Sequence, residues 1–261
     1  MRNLDAQHSV LHAVGRLFRK GFLRLLIDEG IGFCANGQSP SISNALSKKG
    51  RMNMAFRVLI VEDQEMPRQL FEIYIRGSEA YELAGAISNA ALAADLCRND
   101  RIDLVLMDVC TALGSNGLDA AEEIKRDCPQ IKIIMVTSMP EFSWLERARR
   151  IGVDSFWYKD AQKDTILNVC DRTMAGEQVY PDKTPCVPIG QVTNHDFTER
   201  ELEILKELIT GDSNAEIGER LGVSAGTVKR HVENMLSKTG FHTRTELVAE
   251  AGRLGIVIRF Q

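Results

Sequence analysis

The 261-residue sequence has no CxxC pair, and its six cysteines (Cys34, Cys97, Cys110, Cys128, Cys170 and Cys186) are widely scattered. This spacing suggests neither a zinc site nor a disulfide framework, and a reducing cytoplasm is the simplest home for it. Also missing is any run near the roughly 18 uninterrupted apolar residues of a membrane span. Arg16, Arg19, Lys20 and Arg24 break up the apolar residues of the N-terminus, so it lacks a clean signal peptide. No stable membrane association is expected. Net positive charge is absent too: the chain sums to −4, with +5 in residues 1–54 and −9 in the remainder. Binding of nucleic acid by that remainder must use a local patch, because its overall field repels DNA.

What is present is a soluble globular composition, 44% hydrophobic and 26% charged, on a chain long enough for about two domains. The stretch DLVLMDVC (103–110) places a carboxylate, Asp108, at the end of a strand-like apolar run. An unpaired carboxylate in low dielectric costs several kcal/mol or more, so either Asp108 caps the next segment or it lies at an exposed strand end.

Four strong apolar runs follow one another, at 57–63, 103–109, 132–138 and 154–160, with a weaker one at 82–88. Helical periodicity fills the segments 66–77, 90–99, 117–127, 141–151 and 163–175. Short β-rich runs alternating with helices predict a five-stranded parallel sheet covered on both faces, a doubly wound α/β domain over 55–178. The strong runs end on Glu62 and Asp63, on Asp108, on Thr137 and Ser138, and on Lys159. Ligands of open α/β sheets bind at the carboxyl ends of the strands, so these groups converge on one rim. A helix cap explains any one of them but not all together. Two carboxylates ~4 Å apart at an effective dielectric near 20 repel by about 4 kcal/mol, so three need a cation. A hard divalent ion on oxygen ligands, most simply Mg²⁺, meets that need, and an Asp beside it can take up a phosphoryl group.

In this order and spacing, Glu62-Asp63, Asp108, Thr137-Ser138 and Lys159 resemble a response-regulator receiver domain, the flavodoxin-like half of a two-component regulator. The resemblance implies Asp108 as phosphoacceptor, with Glu62, Asp63 and Asp108 on Mg²⁺. It further implies Thr137 and Lys159 as phosphoryl sensors and Phe156 at the aromatic switch position. Receivers commonly continue with Met-Pro and then Gly, whereas this chain reads VCTALGSNG, without Pro and one residue longer before Gly117. The backbone carbonyl of Cys110 is the metal contributor implied there. Trp157 and Tyr158 are assigned to the strand and its exposed face.

Residues 179–196, with three prolines and no clear period, read as a linker, and 197–261 as helical throughout. Thr198, Asn214, Ser224 and either Thr243 or Thr245 are the expected N-caps. NAEIGERLGVSAGTVKRHVENML has the plan of a helix-turn-helix, whose second helix enters the major groove. Val228, Val232, Met235 and Leu236 make its inward stripe. Lys229 and Arg230, with Glu233 and Asn234 a turn on, form the free face, and His231 sits at the stripe's edge. FTERELEIL, the TVKRHV core and TRTEL resemble the four-helix LuxR-type module of NarL/FixJ-family regulators. That resemblance implies phosphate contacts from Thr227 and Lys238, base contacts from Lys229 and Arg230, and dimerisation through the last helix, and Asn234 on the free face is a further DNA-binding candidate.

Residues 1–54 read as a loosely attached extension, with a basic amphipathic stretch at 10–30, or as a translation start placed too far upstream. The expectation is a cytoplasmic transcriptional regulator, not an enzyme. A sensor histidine kinase would phosphorylate it, and as a homodimer it would bind double-stranded promoter DNA. Two rivals remain: a receiver acting independently of phosphate, and an Mg²⁺-dependent phosphatase with an aspartyl nucleophile. The phosphatase chemistry wants a second acid where Cys110 stands.

Overall fold

The computed structural model describes residues 55–159 and 165–258; the 1–54 extension, with its amphipathic stretch, lies outside the described residues. Five parallel strands run β1 (Phe56–Val61), β2 (Tyr81–Ile87), β3 (Leu104–Asp108), β4 (Lys132–Thr137) and β5 (Ser155–Tyr158), ordered β2-β1-β3-β4-β5. This is the flavodoxin-like order, with its switch point between β1 and β3. Helices α1 (Glu65–Arg76), α2 (Ala93–Asn99), α3 (Gly117–Asp127), α4 (Ser143–Ile151) and α5 (Ile166–Met174) make the crossovers.

Successive strand residues point to opposite faces, so each central run feeds two cores. Val58, Ile60, Leu104, Leu106, Ile134 and Val136 pack with Phe71 and Ile75 of α1 and with Ile166 and Val169 of α5. Leu59, Val61, Val105, Met107, Ile133 and Met135 meet the helices of the other face, among them Leu118 and Ile124 of α3 and Trp144 of α4. Every residue of β3 is therefore buried. The assignment of Trp157 and Tyr158 to an exposed face is corrected here. Tyr158 is buried, and Trp157 is half-buried, edge-on to Phe71 at 6.3 Å between ring centroids. A sheet covered on both sides leaves no solvent face for β5 to show.

Beyond α5 the chain stays attached to the sheet: Val179 O accepts from Phe156 N at 2.8 Å, and the Tyr180 hydroxyl donates to Val153 O at 2.8 Å. A two-stranded hairpin follows, β6 (Pro188–Ile189) with β7 (Val192–Thr193), and Ile189 is fully buried in the core of the helical unit. That unit comprises α6 (Glu199–Leu208), α7 (Asn214–Leu221), α8 (Ala225–Thr239) and α9 (Arg244–Arg253) around Leu205, Ile217, Val228, Met235 and Leu247. Thr198, Ser224 and Thr243 cap α6, α8 and α9. Ser213, not Asn214, caps α7, because its hydroxyl accepts from Glu216 N while the Glu216 carboxylate accepts from Ser213 N, a reciprocal box. The turn between α7 and α8 brings Val223 O against Gly218, where a Cβ would sit only 2.6 Å away, so the tight turn demands glycine.

Candidate acidic site and nucleic-acid interface

The strand ends bring the predicted rim together. Glu62 follows β1, Asp108 closes β3, Thr137 closes β4 and Lys159 follows β5; Glu62, Asp108 and Thr137 are all buried. Lys159 Nζ lies 2.6 Å from Glu62 Oε2 and 3.0 Å from Asp108 Oδ2, one ammonium shared by two carboxylates. Burial pushes the Asp108 carboxyl up to about 7; the Lys159 ammonium opposes the shift and Glu62 adds to it. Burial works against the Lys159 charge, but Asp108 and Glu62 outweigh it and hold the ammonium above its ordinary range. Glu62 is aimed by Gln64 N, which donates to its Oε1 at 3.1 Å.

Glu62, Asp63 and Asp108 each present a carboxylate oxygen within 4.8 Å of the others. Asp63 Oδ1 is buried without a hydrogen-bond partner. A buried orphan acceptor in an all-oxygen cluster is what a hard divalent cation satisfies, so the residues fit such an ion.

The loop after Asp108 has an explanation in backbone geometry. Ala112–Gly114 forms a short 3₁₀ turn, with Leu113 at φ +61° and Gly114 at φ +71°. Two successive left-handed residues take up the extra length, and the Leu113 side chain is 92% exposed. Thr111 anchors the loop, since its hydroxyl donates to Ser115 O at 3.1 Å and accepts from Ala90 N at 3.0 Å. At Gly117 a Cβ would sit 2.0 Å from Asp108 O, so glycine is obligatory where α3 approaches the rim. Cys110 pairs across the loop with Asn116, and burial pushes its thiol up to about 12, with Asp108 and Asp63 contributing.

Thr137 Oγ1 accepts from Met139 N at 3.1 Å, tying the hydroxyl to the segment that leaves β4. Phe156 is fully buried, its ring centroid 5.3 Å from that of Tyr158 and 6.4 Å from that of Tyr180. Past Met139 the same segment touches the helical unit. Glu141, completely buried, accepts from Ser143 N and from Lys206 Nζ of α6, at 2.9 and 3.0 Å. Phe142 packs on the helical core, and Met139 lies against Gly255. Sequence reasoning missed Glu141; a lone acid between Pro140 and the Phe142–Trp144 stretch was its only signal.

On α8, Val228, Val232 and Met235 are buried, while Lys229, Arg230, Glu233 and Asn234 are exposed along the opposite side. Thr227 is half-buried in the first turn, its hydroxyl 2.9 Å from Ser224 Oγ. Lys238 is drawn away from that face: its ammonium donates to Glu201 Oε2 at 2.7 Å and to Asp196 O at 3.0 Å. His231 and Leu236 are half-buried.

Two family models match the chain: the response regulator receiver domain over residues 58–171, and the bacterial regulatory proteins of the luxR family over 195–251. The response regulator protein VraR of Staphylococcus epidermidis is 34% identical over 203 residues, covering 76% of this chain and 97% of that protein. VraR of Staphylococcus aureus is 33% identical over the same coverage. Among solved structures, a single chain from the structure of two RcsB dimers bound to two parallel DNAs superposes with a TM-score of 0.53 at 14% identity. It covers 76% of this chain and 98% of that one, and at such identity the likeness concerns the fold.

Proposed function

The chain belongs to the response regulators in which a receiver domain is joined to a LuxR-type DNA-binding domain, and from that premise we propose that phosphorylation of Asp108 switches its binding to promoter DNA. The observation carrying this reading is the single rim where Glu62, Asp63 and Asp108 converge beside the Lys159 ammonium.

In this reading Asp108 Oδ attacks the phosphorus of a phosphohistidine on a sensor kinase, the P–N bond breaks and the imidazole leaves. Glu62, Asp63 and Asp108, with the carbonyl of Cys110, would hold Mg²⁺. When bound, the ion neutralises the crowded carboxylates and the incoming phosphoryl oxygens. Lys159 already reaches Asp108, so it exchanges a carboxylate contact for a phosphoryl oxygen. Thr137 donates a hydrogen bond from its hydroxyl to another oxygen, and that movement pulls on Met139, which it now binds. Phe156, already buried on the adjacent strand, would repack as Thr137 moves. Because Met139, Glu141 and Phe142 touch the DNA-binding unit, the displacement at β4 has a short path to it.

On DNA, Lys229, Arg230 and Asn234 face the major groove, with phosphate contacts from Thr227 and from the remaining donor of Lys238. A nearly neutral domain (nine basic and ten acidic residues over 197–261) binds weakly alone, so two copies on two half-sites supply the affinity. Residues 55–178 and 197–261 act as the two domains, in a cytoplasmic protein.

Incubation with acetyl phosphate and Mg²⁺, resolved on a phosphate-affinity gel, tests the core of this reading. A single shifted band is expected, and Mg²⁺-independent promoter binding with no such band would instead favour a receiver working without phosphate. Phosphatase chemistry is disfavoured because it wants a carboxyl general acid two residues after the nucleophile, where this chain has Cys110.

A further inference from the structure

The free face of α8 carries one acid. Glu233 stands a turn beyond Lys229, 62% exposed, with Oε1 3.8 Å from the Nζ of Lys229, which is 69% exposed. Neither belongs to the buried stripe of Val228, Val232 and Met235, and Arg230 and Asn234 flank them in solvent. Fold stability does not call for the carboxylate, since an exposed pair one helical turn apart contributes little.

A face that met only phosphates would have no use for Glu233. Duplex DNA carries a negative charge every ~1.7 Å along its axis. The domain has no surplus cation to mask an extra acid, with nine basic and ten acidic residues over 197–261. Lys238 is already committed to Glu201 and Asp196. The carboxylate becomes favourable only where a base edge donates to it.

Among major-groove edges, cytosine offers its N4 amino donor with no acceptor beside it. Guanine and thymine present acceptors, which repel a carboxylate, and adenine sets its N7 acceptor next to its N6 donor. The Lys229 ammonium has the opposite preference and suits guanine N7 and O6. Two heads of opposite charge 3.8 Å apart match the donor and acceptor edges that neighbouring G·C pairs present, their bases about 3.4 Å apart.

Resting on the DNA-binding reading above, we propose that Glu233 is a specificity-determining residue. Its carboxylate accepts a hydrogen bond from N4 of one cytosine in each half-site, while Lys229 donates to the adjacent guanine. The acid lowers affinity for non-cognate DNA and so widens the ratio between cognate and non-cognate sites.

The test is enrichment of sites from a random duplex library by the full chain treated with acetyl phosphate and Mg²⁺. Binding isotherms on the enriched site and its single-base variants follow. The unsubstituted chain is expected to hold cytosine at one position per half-site, with replacement of that base costing roughly 10- to 100-fold in affinity. Glu233→Gln moves the preference to adenine, which an amide reads through N6 and N7. Glu233→Ala accepts all four bases there and binds non-cognate DNA more tightly than the unsubstituted chain. Lys229→Met keeps the cytosine and loses the guanine. Enrichment of unchanged sites by both Glu233 variants overturns the proposal while leaving sequence-specific binding intact. Loss of the cytosine preference in Lys229→Met also overturns it, making Glu233 only a positioning residue for Lys229. A chain that enriches no sequence at all removes the DNA-binding reading, and this proposal with it.

Discussion

Lys206 of α6 places its Nζ 3.0 Å from Oε1 of Glu141, and the carboxylate it meets is fully buried in the segment that leaves β4. That segment begins at Thr137, so a rim residue lies only four chain positions from Glu141, the residue that meets the DNA-binding unit. The remaining partners of Glu141 are the backbone N–H and hydroxyl of Ser143, and Lys206 also donates to that hydroxyl at 2.8 Å. The same ammonium lies 5.8 Å above the Phe142 ring. The contact leaves Lys229, Arg230 and Asn234 exposed, so in this arrangement the receiver does not cover the free face of α8.

Removing one partner of this pair strands a buried charge. Lys206→Ala is expected to destabilise the protein by ~1–2 kcal/mol, between the values for an exposed and a fully buried pair, because the lysine side chain is 38% exposed and solvent screens it. Glu141→Gln in the same background should recover part of that loss, since a neutral amide needs no counter-charge. Urea unfolding of the two single variants and the double variant measures the coupling, and strict additivity would show the two side chains to be independent.

The acidic rim gives a sharper expectation about metal. Asp108→Ala should accept no phosphoryl group from acetyl phosphate at any Mg²⁺ concentration. Asp63→Asn keeps Asp108 but replaces a charged carboxylate ligand with a neutral amide oxygen, and its phosphorylation should need about tenfold more Mg²⁺, typical of a weakened ligand shell. Phosphate-affinity gels across a Mg²⁺ series report both. Equal half-saturation for Asp63→Asn and the unsubstituted chain would remove Asp63 from the metal site.

Acid stability centres on Asp154 at the opposite end of the sheet. Burial disfavours its charge, but Lys125 and Lys132, 2.5 and 2.9 Å from its oxygens, together with Ile133 N hold its carboxyl below the ordinary range. A carboxyl depressed by folding adds stability above its unfolded value near 4 and loses it as pH falls through the folded value. Stability should therefore drop on acidification below about pH 4. Asp154→Asn should cost about 2–3 kcal/mol at pH 7, where Lys125 loses its ion-pair partner, and much less at pH 3. Urea midpoints at the two pH values decide it, and an equal loss at both would point to packing in place of charge.

Where the sequence was legible, it was legible through period and position. The runs at 57–63, 103–109 and 132–138 are apolar at every step because both faces of the sheet are covered, and their terminal acids and hydroxyl mark the rim. Caps at Thr198, Ser224 and Thr243 follow from hydroxyls beside apolar periods, whereas Ser213 and Asn214 are both good cap residues side by side, and only the reciprocal box with Glu216 decides for Ser213. Other features depend on contacts that no local pattern encodes. Glu141 is buried only because Lys206, 65 residues on, comes to meet it. Tyr158 is covered by packing against Phe156, and the left-handed Leu113 is needed only because α3 must bring Gly117 onto Asp108 O.

The two cations Arg230 and Lys238 should separate cleanly into binding and folding. Arg230 is exposed on α8 with no ion-pair partner among the described residues, so its guanidinium is free for DNA. Arg230→Ala should weaken binding and lower the slope of log affinity against log salt by about one, while unfolding at the unsubstituted urea concentration. Lys238 spends two donors inside the domain. Against the cost of burial, it and Thr198 keep the buried Glu201 carboxyl below its ordinary range, and Glu201 in turn completes the capping box of α6. Lys238→Ala should therefore lose binding and also about 1 kcal/mol of stability, the value of a cap whose ion pair is partly screened. Filter binding across a salt series, run beside urea unfolding, reads both quantities for each variant. A Lys238→Ala protein as stable as the unsubstituted chain would show the Glu201 contact to be dispensable, and Lys238 would then serve DNA alone.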